Sequence, residues 1–123
     1  KKQRVQDMQD GNYQLGLTRW GPDYADPMTY LGMWITDNSN NYGLWSNAEY
    51  DAIIAECTTG DLCTDAEGRW ARLYDAEQLV MNDAVIFPLY TQCNAEMMSS
   101  KVTGVEFHPV ALNRVYKNAV KAE

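Results

Sequence analysis

Residues 64–81 read T-D-A-E-G-R-W-A-R-L-Y-D-A-E-Q-L-V-M and predict a long amphipathic helix. Thr64 and Glu67 fit the capping box S/T-x-x-E, in which side chains satisfy two backbone donors that a helix start leaves unpaired. The same pattern, at Ser46 and Glu49, opens a shorter helix upstream. We interpret the apolar residues that recur at helical spacing as the core faces of these two helices. They are Tyr50, Ile53, Ile54 and Cys57 in the first helix, and Trp70, Leu73, Tyr74, Val80 and Met81 in the second.

The remaining segments predict a mixture of helices and short strands. Residues 1–10 predict a helix that ends at Gly11-Asn12, because glycine favours the left-handed conformation that closes a helix. Asp26 and Pro27 predict the start of another helix, with Asp26 as its N-cap. We therefore predict the α+β class, with local helices on a small sheet. The strand-like segments are 13–20, 85–94, 96–99, 102–107 and 114–120.

The composition excludes several classes of function. The chain of 123 residues is 46% hydrophobic and carries a net charge of −7. Such acidity disfavours binding to phosphate backbones and to anionic lipid surfaces. No run of about 18 apolar residues predicts a transmembrane helix. The first predicted helix has basic residues near its start and acidic residues near its end, the reverse of what the helix dipole favours, so we expect its true start to lie upstream.

The cysteines predict a disulfide. Cys57 and Cys63 flank the turn-forming stretch T-T-G-D-L between the two capped helices. So short a connection can bring two Cα atoms within disulfide distance, and closing it would stabilise the fold by about 2 kcal/mol. This bond would indicate an oxidising, extracytoplasmic compartment. Zinc is the competing interpretation, but the sequence offers one histidine, His108, and no C-x-x-C pair. We expect Cys93 to be a small buried hydrophobic residue.

The stretch W-G-P-D-Y-A-D-P at 20–27 has the character of a binding loop. It places Asp23 between two aromatic residues, Trp20 and Tyr24, and aromatic surroundings disfavour a carboxylate that lacks a cation or a donor. A ligand ammonium group would meet this need with charge-assisted hydrogen bonds of about 1.5–3 kcal/mol each. The alternative is that Asp23 is a turn or cap residue, as we expect Asp26 to be.

Catalysis and metal binding have weaker support. Asp23 and Asp26 could act as an acid–base pair, but the predicted helix cap accounts for Asp26. Cys93 and His108 could act as a thiol and its base, but no orienting third group accompanies them. Residues 37–41, D-N-S-N-N, faintly match a calcium loop, but the glycine and the closing acid are displaced. We predict a loop stabilised by asparagine side chains there, and no catalytic residue, cofactor or metal.

Five segments together resemble the C-terminal portion of bacterial extracytoplasmic solute-binding proteins of the oligopeptide and dipeptide type. Proteins of this family capture peptides for an ABC importer. No single segment is decisive, but their common order and spacing carry the resemblance, which covers most of residues 5–118. The segments are W-G-P-D-Y-A-D-P-M-T-Y-L at 20–31, D-N-S-N-N-Y at 37–42, N-A-E-Y-D-A-I-I at 47–54, R-W-A-R-L-Y-D-A-E-Q-L-V at 69–80 and A-V-I-F-P-L-Y at 84–90.

The resemblance implies a protein of two lobes that close around an extended peptide and perform no chemistry on it. Residues 1–90 would belong to the second lobe, and residues 91–123 would form a crossover and return segment towards the first. The implied partners are a peptide ligand and the permease subunits of the transporter. The implied location is the periplasm, or the cell surface if the full-length protein is lipid-anchored.

The resemblance also implies roles for individual residues. Asp23 matches the aspartate that pairs with the α-amino group of the peptide in oligopeptide binders. Trp20 would line the cleft, with Tyr24 as the second aromatic residue beside Asp23. Tyr90 matches a tyrosine near a crossover between the lobes. These four are the predicted ligand-binding residues.

Departures from the family pattern leave the ligand open. Gly21 stands where some relatives have a cysteine, and Leu17 stands where some have a basic residue. The ligand could therefore be a peptide, a nickel-type chelate or a sugar, and a small secreted interaction domain without a transport role is the second interpretation. If the facing lobe is absent, we expect the chain alone to bind peptide weakly and to form a swapped or edge-paired homodimer.

Overall fold

The computed structural model describes residues 2–110 and 114–123 and confirms an α+β chain. No helix in these two ranges is long and apolar enough to cross a membrane. The α-helices are α1 (Lys2–Gln9), α2 (Met28–Leu31), α3 (Ala48–Thr58) and α4 (Ala66–Asn82), with 3₁₀ turns at Gly32–Trp34 and Asp61–Thr64. The strands are β1 (Val102–Thr103), β2 (Glu106–Phe107), β3 (Arg114–Val115) and β4 (Val120–Lys121).

The chain divides into two compact units. The helical unit comprises the described residues up to Trp20 together with Asp26–Phe87, and it contains all four α-helices. The strand unit comprises Gly21–Ala25 and the described residues from Pro88 onward. The division at Phe87 lies close to the boundary expected at residue 90, but the short segment Gly21–Ala25 groups with the later residues. The assignment of these parts to lobes of a larger fold stays a prediction.

The core of the helical unit forms where α3 packs against α4. The predicted stripe of α3 is buried throughout, which confirms it. On α4 the buried seam is narrower than the predicted stripe. It consists of Leu73, Ala76 and Val80, which recur at the spacing of one helix face. Trp70, Tyr74 and Met81 were predicted to be core residues and are exposed, because they lie on the flanks of this seam. The buried residues of the core are Leu31, Tyr50, Ile53, Ile54, Cys57, Leu73, Ala76 and Val80.

Neither predicted capping box forms, because the N-cap of each helix lies one residue later than expected. The N-cap of α3 is Asn47 rather than Ser46, and its side chain accepts hydrogen bonds from the backbone N–H groups of Glu49 and Tyr50. The N-cap of α4 is Asp65 rather than Thr64, and its carboxylate accepts from the N–H of Gly68 at 3.1 Å. Asparagine and aspartate cap helices at least as well as serine and threonine, so the adjacent residue takes the role.

Helix α1 ends where the sequence predicts. Gly11 has a φ of +70°, the left-handed conformation that glycine adopts without strain. The N–H of Asn12 donates to the carbonyl of Asp7 at 2.8 Å, and the N–H of Gly11 donates to that of Met8 at 3.3 Å. This pair of bonds is the Schellman motif, which satisfies carbonyl groups at the end of a helix.

The strands of the strand unit form two separate antiparallel pairs. In one pair β1 lies beside β4, with Val102 opposite Lys121, and in the other β2 lies beside β3, with Phe107 opposite Arg114. The predicted strand 102–107 is therefore divided between the two pairs. Gly104 lies at the division with a φ of +73°, and a Cβ there would overlap the carbonyl oxygen of Asn118. The predicted strand 114–120 divides in the same way.

Three other predicted strands do not form. Residues 13–20, 85–94 and 96–99 lie in no ladder within the described ranges. An alternating or apolar pattern yields a strand only where a neighbouring strand accepts its backbone hydrogen bonds, and none of the described segments does so here. For the same reason Cys93, which was expected to be buried on a strand, is exposed.

Cys57 and Cys63 are both free thiols in the structure, so the predicted disulfide between them is not formed there. Cys57 is buried on the face of α3 that packs against α4, and its Sγ lies 3.8 Å from the carbonyl oxygen of Arg69. Cys63 is exposed in the 3₁₀ turn that precedes α4. Burial raises the pKa of the Cys57 thiol, so it stays protonated and behaves as a core residue.

Candidate ligand-binding site

Three of the four predicted ligand-binding residues belong to the strand unit. These are Asp23, Tyr24 and Tyr90, whereas Trp20 is the last residue of the helical unit before the chain leaves it. Asp23 is exposed, and the aromatic side chains are 45% (Trp20), 51% (Tyr24) and 82% (Tyr90) exposed. Large aromatic side chains that remain this accessible are available for contact with a ligand.

The loop that carries Asp23 ends at a polar junction built around Asp26. One carboxylate oxygen of Asp26 accepts a hydrogen bond from the N–H of Met28 at 2.9 Å, at the start of α2. Pro27, which directly precedes α2, already has helical dihedral angles. Asp26 therefore performs the expected capping function two residues before the first residue of α2.

Arg69, in the first turn of α4, binds Asp26 through two parallel hydrogen bonds. Nη1 donates to Oδ2 at 2.8 Å and Nη2 donates to Oδ1 at 2.9 Å. The third donor of the guanidinium, Nε, bonds the carbonyl oxygen of Cys57 near the end of α3 at 2.9 Å. The side chains of Arg69 and Asp26 are only 17% and 31% exposed. The hydrogen bonds from Arg69 lower the pKa of Asp26, and those same bonds raise the pKa of Arg69.

The asparagine loop after α2 is held by its own side chains, as predicted. Asn38 donates to the carbonyl of Gly32 at 3.0 Å. Asn41 is buried; its amide donates to the carbonyl of Trp45 at 2.7 Å, and its side-chain oxygen accepts from the N–H of Trp45 at 3.2 Å. In the described part of the chain, no group of three or more histidine, cysteine or acidic residues could hold a metal ion.

The residue pairs considered for catalysis have other partners. Asp26 is engaged by Arg69 and by the start of α2, so it is not an acid–base partner for Asp23. His108 lies near Glu106, with 3.9 Å between Nε2 and a carboxylate oxygen, and the thiol of Cys93 lies 3.9 Å from the carbonyl oxygen of Thr91.

Curated proteins similar to this chain bind peptides or other small solutes. A dipeptide-binding protein of Lactococcus lactis subsp. cremoris (strain MG1363) is 38% identical over 119 residues, which is 96% of this chain and 22% of the relative. The dipeptide-binding protein DppE of Bacillus subtilis (strain 168) is 32% identical over 106 residues, 86% of this chain and 19% of the relative. The chain is a homologue of the bacterial oligopeptide- and dipeptide-binding proteins.

A third relative has a different ligand in its name. The probable deoxycholate-binding periplasmic protein YgiS of Escherichia coli (strain K12) is 31% identical over 98 residues, 80% of this chain and 18% of the relative. No protein-family model matches the chain.

Solved structures of peptide-binding proteins share the fold of this chain. The substrate-binding domain of an oligopeptide ABC transporter from Bacillus anthracis str. Ames superposes with a TM-score of 0.83 at 38% identity, covering 99% of this chain and 24% of that one. OppA of Listeria monocytogenes, solved bound to peptide, gives a TM-score of 0.78 at 28% identity, covering 99% of this chain and 22% of that one. The chain thus spans about a fifth of the length of the curated relatives.

Sequence reasoning missed Arg69 as part of the site. The residue lies in one of the five family-like segments, but Asp26 and Arg69 are separated by 43 positions. Asp26 was fully explained as a helix cap, so nothing local called for a cation. No local signal in the sequence marked Arg69, because the partial burial of Asp26, which calls for a charged partner as well as a cap, is visible only in the structure.

Proposed function

We propose that the protein that carries this chain captures peptides outside the membrane for uptake by an ABC importer. The observation that supports this most is the match, over 99% of the chain, to an OppA that was solved bound to peptide. The relatives named as dipeptide-binding proteins support the same ligand class. The periplasmic relative supports an extracytoplasmic location, and the permease subunits of the transporter would be the protein partners. The proposed role is binding and release, with no cofactor and no chemical conversion.

In the proposed mechanism Asp23 recognises the amino terminus of the peptide. Its carboxylate would accept charge-assisted hydrogen bonds from the α-ammonium group, each worth about 1.5–3 kcal/mol. Trp20 and Tyr24 flank it in sequence and are accessible. As the ligand covers them, their rings would exclude water from the ion pair and strengthen it. Tyr90 would contribute a further contact from the same unit as Asp23.

The test is a calorimetric titration of the complete gene product that contains this sequence. The ligands are a short peptide and the same peptide with an acetylated amino terminus. Acetylation removes the positive charge, so we expect it to weaken binding to the wild type strongly and to have little further effect on Asp23→Asn. Asp61→Asn serves as the control, since it removes an exposed carboxylate from the 3₁₀ turn before α4.

Two outcomes would contradict the proposed function. Equal affinity for the free and acetylated peptides would show that Asp23 is a turn residue. Absence of peptide binding by the complete gene product would favour the small interaction domain without a transport role. For the 123-residue chain alone we expect weak binding, because the proposed contact residues are too exposed to bury a ligand by themselves.

A non-peptide solute is the second candidate. The deoxycholate-binding name of the third relative is the specific observation that favours it. A bile acid is an anion with a large apolar surface, so Asp23 would repel it rather than bind it. Titration with deoxycholate therefore discriminates the candidates: binding that improves in Asp23→Asn would favour the bile acid, and no binding would favour the peptide.

A further inference from the structure

The proposed ligand loop is connected to the helical unit at two points. The chain leaves that unit after Trp20 and returns to it at Asp26, and Gly21–Ala25 lie between. Asp23 is therefore three residues from a return point whose geometry is set by the helical unit. A short segment fixed at its end has fewer conformations to lose when a ligand binds.

Asp26, the residue at this return point, accepts more hydrogen bonds than a helix cap requires. Asp26 receives three hydrogen bonds on its carboxylate, from both terminal nitrogens of Arg69 and from the N–H of Met28. Its carbonyl oxygen also accepts from the N–H of Thr29 at 3.1 Å. Arg69 is itself oriented by the carbonyl of Cys57, whose side chain lies in the core between α3 and α4. The guanidinium thus connects Asp26 to the most buried part of the helical unit.

A second arginine on the same helix offers a direct comparison. Arg72 also connects α4 to α3, through Glu56 at 3.2 Å, and it pairs with Asp75 on its own helix at 3.1 Å. These side chains are exposed, and exposed ion pairs contribute little. Arg72 pairs with residues on α3 and α4, whereas Arg69 pairs with Asp26, the residue at which the loop re-enters the helical unit.

We propose that Arg69 is a positioning residue for peptide recognition. Its two parallel hydrogen bonds to Asp26 fix the loop that presents Asp23 to the peptide amino group. The inference rests on the proposed function. A planar guanidinium bound through two parallel hydrogen bonds fixes direction as well as distance, which a lysine at this position would not do. Arg69 acts through Asp26 and the loop and does not itself contact the ligand.

The test uses Asp26→Asn in the complete gene product. An asparagine keeps the oxygen that accepts from Met28 but loses the charge that Arg69 binds. The matched control is Glu56→Gln, which removes one negative charge from the pair with Arg72. The measured quantity is the ratio of the dissociation constant of an N-acetylated peptide to that of the free peptide. Thermal unfolding of each variant shows that it is folded.

A loss of positioning changes this ratio, whereas a general loss of stability weakens both peptides alike. We expect Asp26→Asn to reduce the ratio by about three- to thirty-fold and Glu56→Gln to leave it within about twofold. Arg69→Lys keeps the positive charge but loses the planar guanidinium that binds Asp26 through two hydrogen bonds, so it should give an intermediate ratio. It replaces Asp26→Asn if that variant does not fold.

The outcomes separate this inference from the function on which it rests. A large ratio in the wild type that persists in Asp26→Asn and Arg69→Lys would overturn the positioning role alone. A ratio near one in the wild type would overturn recognition of the amino group, and the positioning role with it. A reduced ratio in Glu56→Gln, equal to that in Asp26→Asn, would show that any loss of charge at these helices has the same effect and would also overturn it.

Discussion

At the scale of single residues, the hydroxyl group of Tyr50 connects two elements of the core. Tyr50 is fully buried on α3, and its hydroxyl donates to the carbonyl oxygen of Leu31, at the end of α2, at 2.5 Å. Its ring meets that of Trp45 edge to face, with 5.0 Å between the centroids. Burial raises the pKa of Tyr50, so the hydroxyl remains a neutral donor at any physiological pH. The residue therefore combines apolar burial with a specific polar contact.

Replacement of Tyr50 by phenylalanine should destabilise the chain. The ring would keep its packing, but the buried carbonyl of Leu31 would lose its donor from α3, which costs about 1–3 kcal/mol. We expect this reduction in the free energy of unfolding, measured by urea denaturation. Tyr74→Phe removes the same hydroxyl from an exposed site on α4 and should change stability by less than about 0.5 kcal/mol. Equal effects in the two variants would show that the bond to Leu31 contributes nothing.

At the scale of elements, the sequence predicts helices better than strands. Helix signals are local: Gly11 and the asparagine and aspartate caps act within a few residues, and the predicted starts of α3 and α4 differ from the structure by two residues or fewer. A strand depends on a partner that sequence pattern alone does not identify. The segment 85–94 has strand-like composition and no ladder partner among the described residues, so its pattern misled the prediction.

The candidate site, like the helices, could be predicted only where its signals are local in the sequence. The loop at 20–27 and its exposed aromatic residues follow from local composition, and the asparagine loop follows from its side chains. The pair of Asp26 and Arg69 joins two elements far apart in the chain, and only the packing of α2 against α4 places its partners together. The burial of Ala76 was also missed, because a small residue gives little signal in an apolar stripe.

The Asp26–Arg69 pair should make the connection between α2 and α4 sensitive to acid. Hydrogen bonds from Arg69 lower the pKa of Asp26 in the folded chain below its ordinary value near 3.8. The unfolded chain therefore takes up this proton at a higher pH than the folded chain does. The stabilisation is complete above the ordinary pKa and is lost as the pH falls through the lowered one.

We expect the free energy of unfolding of the wild type to fall as the pH decreases from about 5 towards about 2, and to fall less steeply in Asp26→Asn. Urea denaturation at several pH values measures both slopes. Asp61→Asn removes a charge of the same size from an exposed site and is the matched control. If both variants flatten the slope equally, the acid sensitivity comes from net charge rather than from the pair with Arg69.

At the scale of the whole molecule, an exposed apolar segment of the strand unit favours self-association. Between Pro88 and Ser99 the described backbone forms no ladder, and several large apolar side chains there are exposed. Exposed apolar side chains on a segment that lies in no described ladder favour association with another chain. The exposed side chains are Leu89, Tyr90, Met97 and Met98.

We therefore expect the 123-residue chain to self-associate through this segment. Sedimentation velocity should give a mass above that of the monomer that increases with protein concentration. Leu89→Lys should reduce the association, because a charge on an open edge opposes pairing with a second copy. Leu15→Lys, at a leucine of the helical unit that is even more exposed than Leu89, should leave it unchanged. A monomer mass at the highest concentration measured, or an equal effect of both variants, would contradict pairing through residues 88–99.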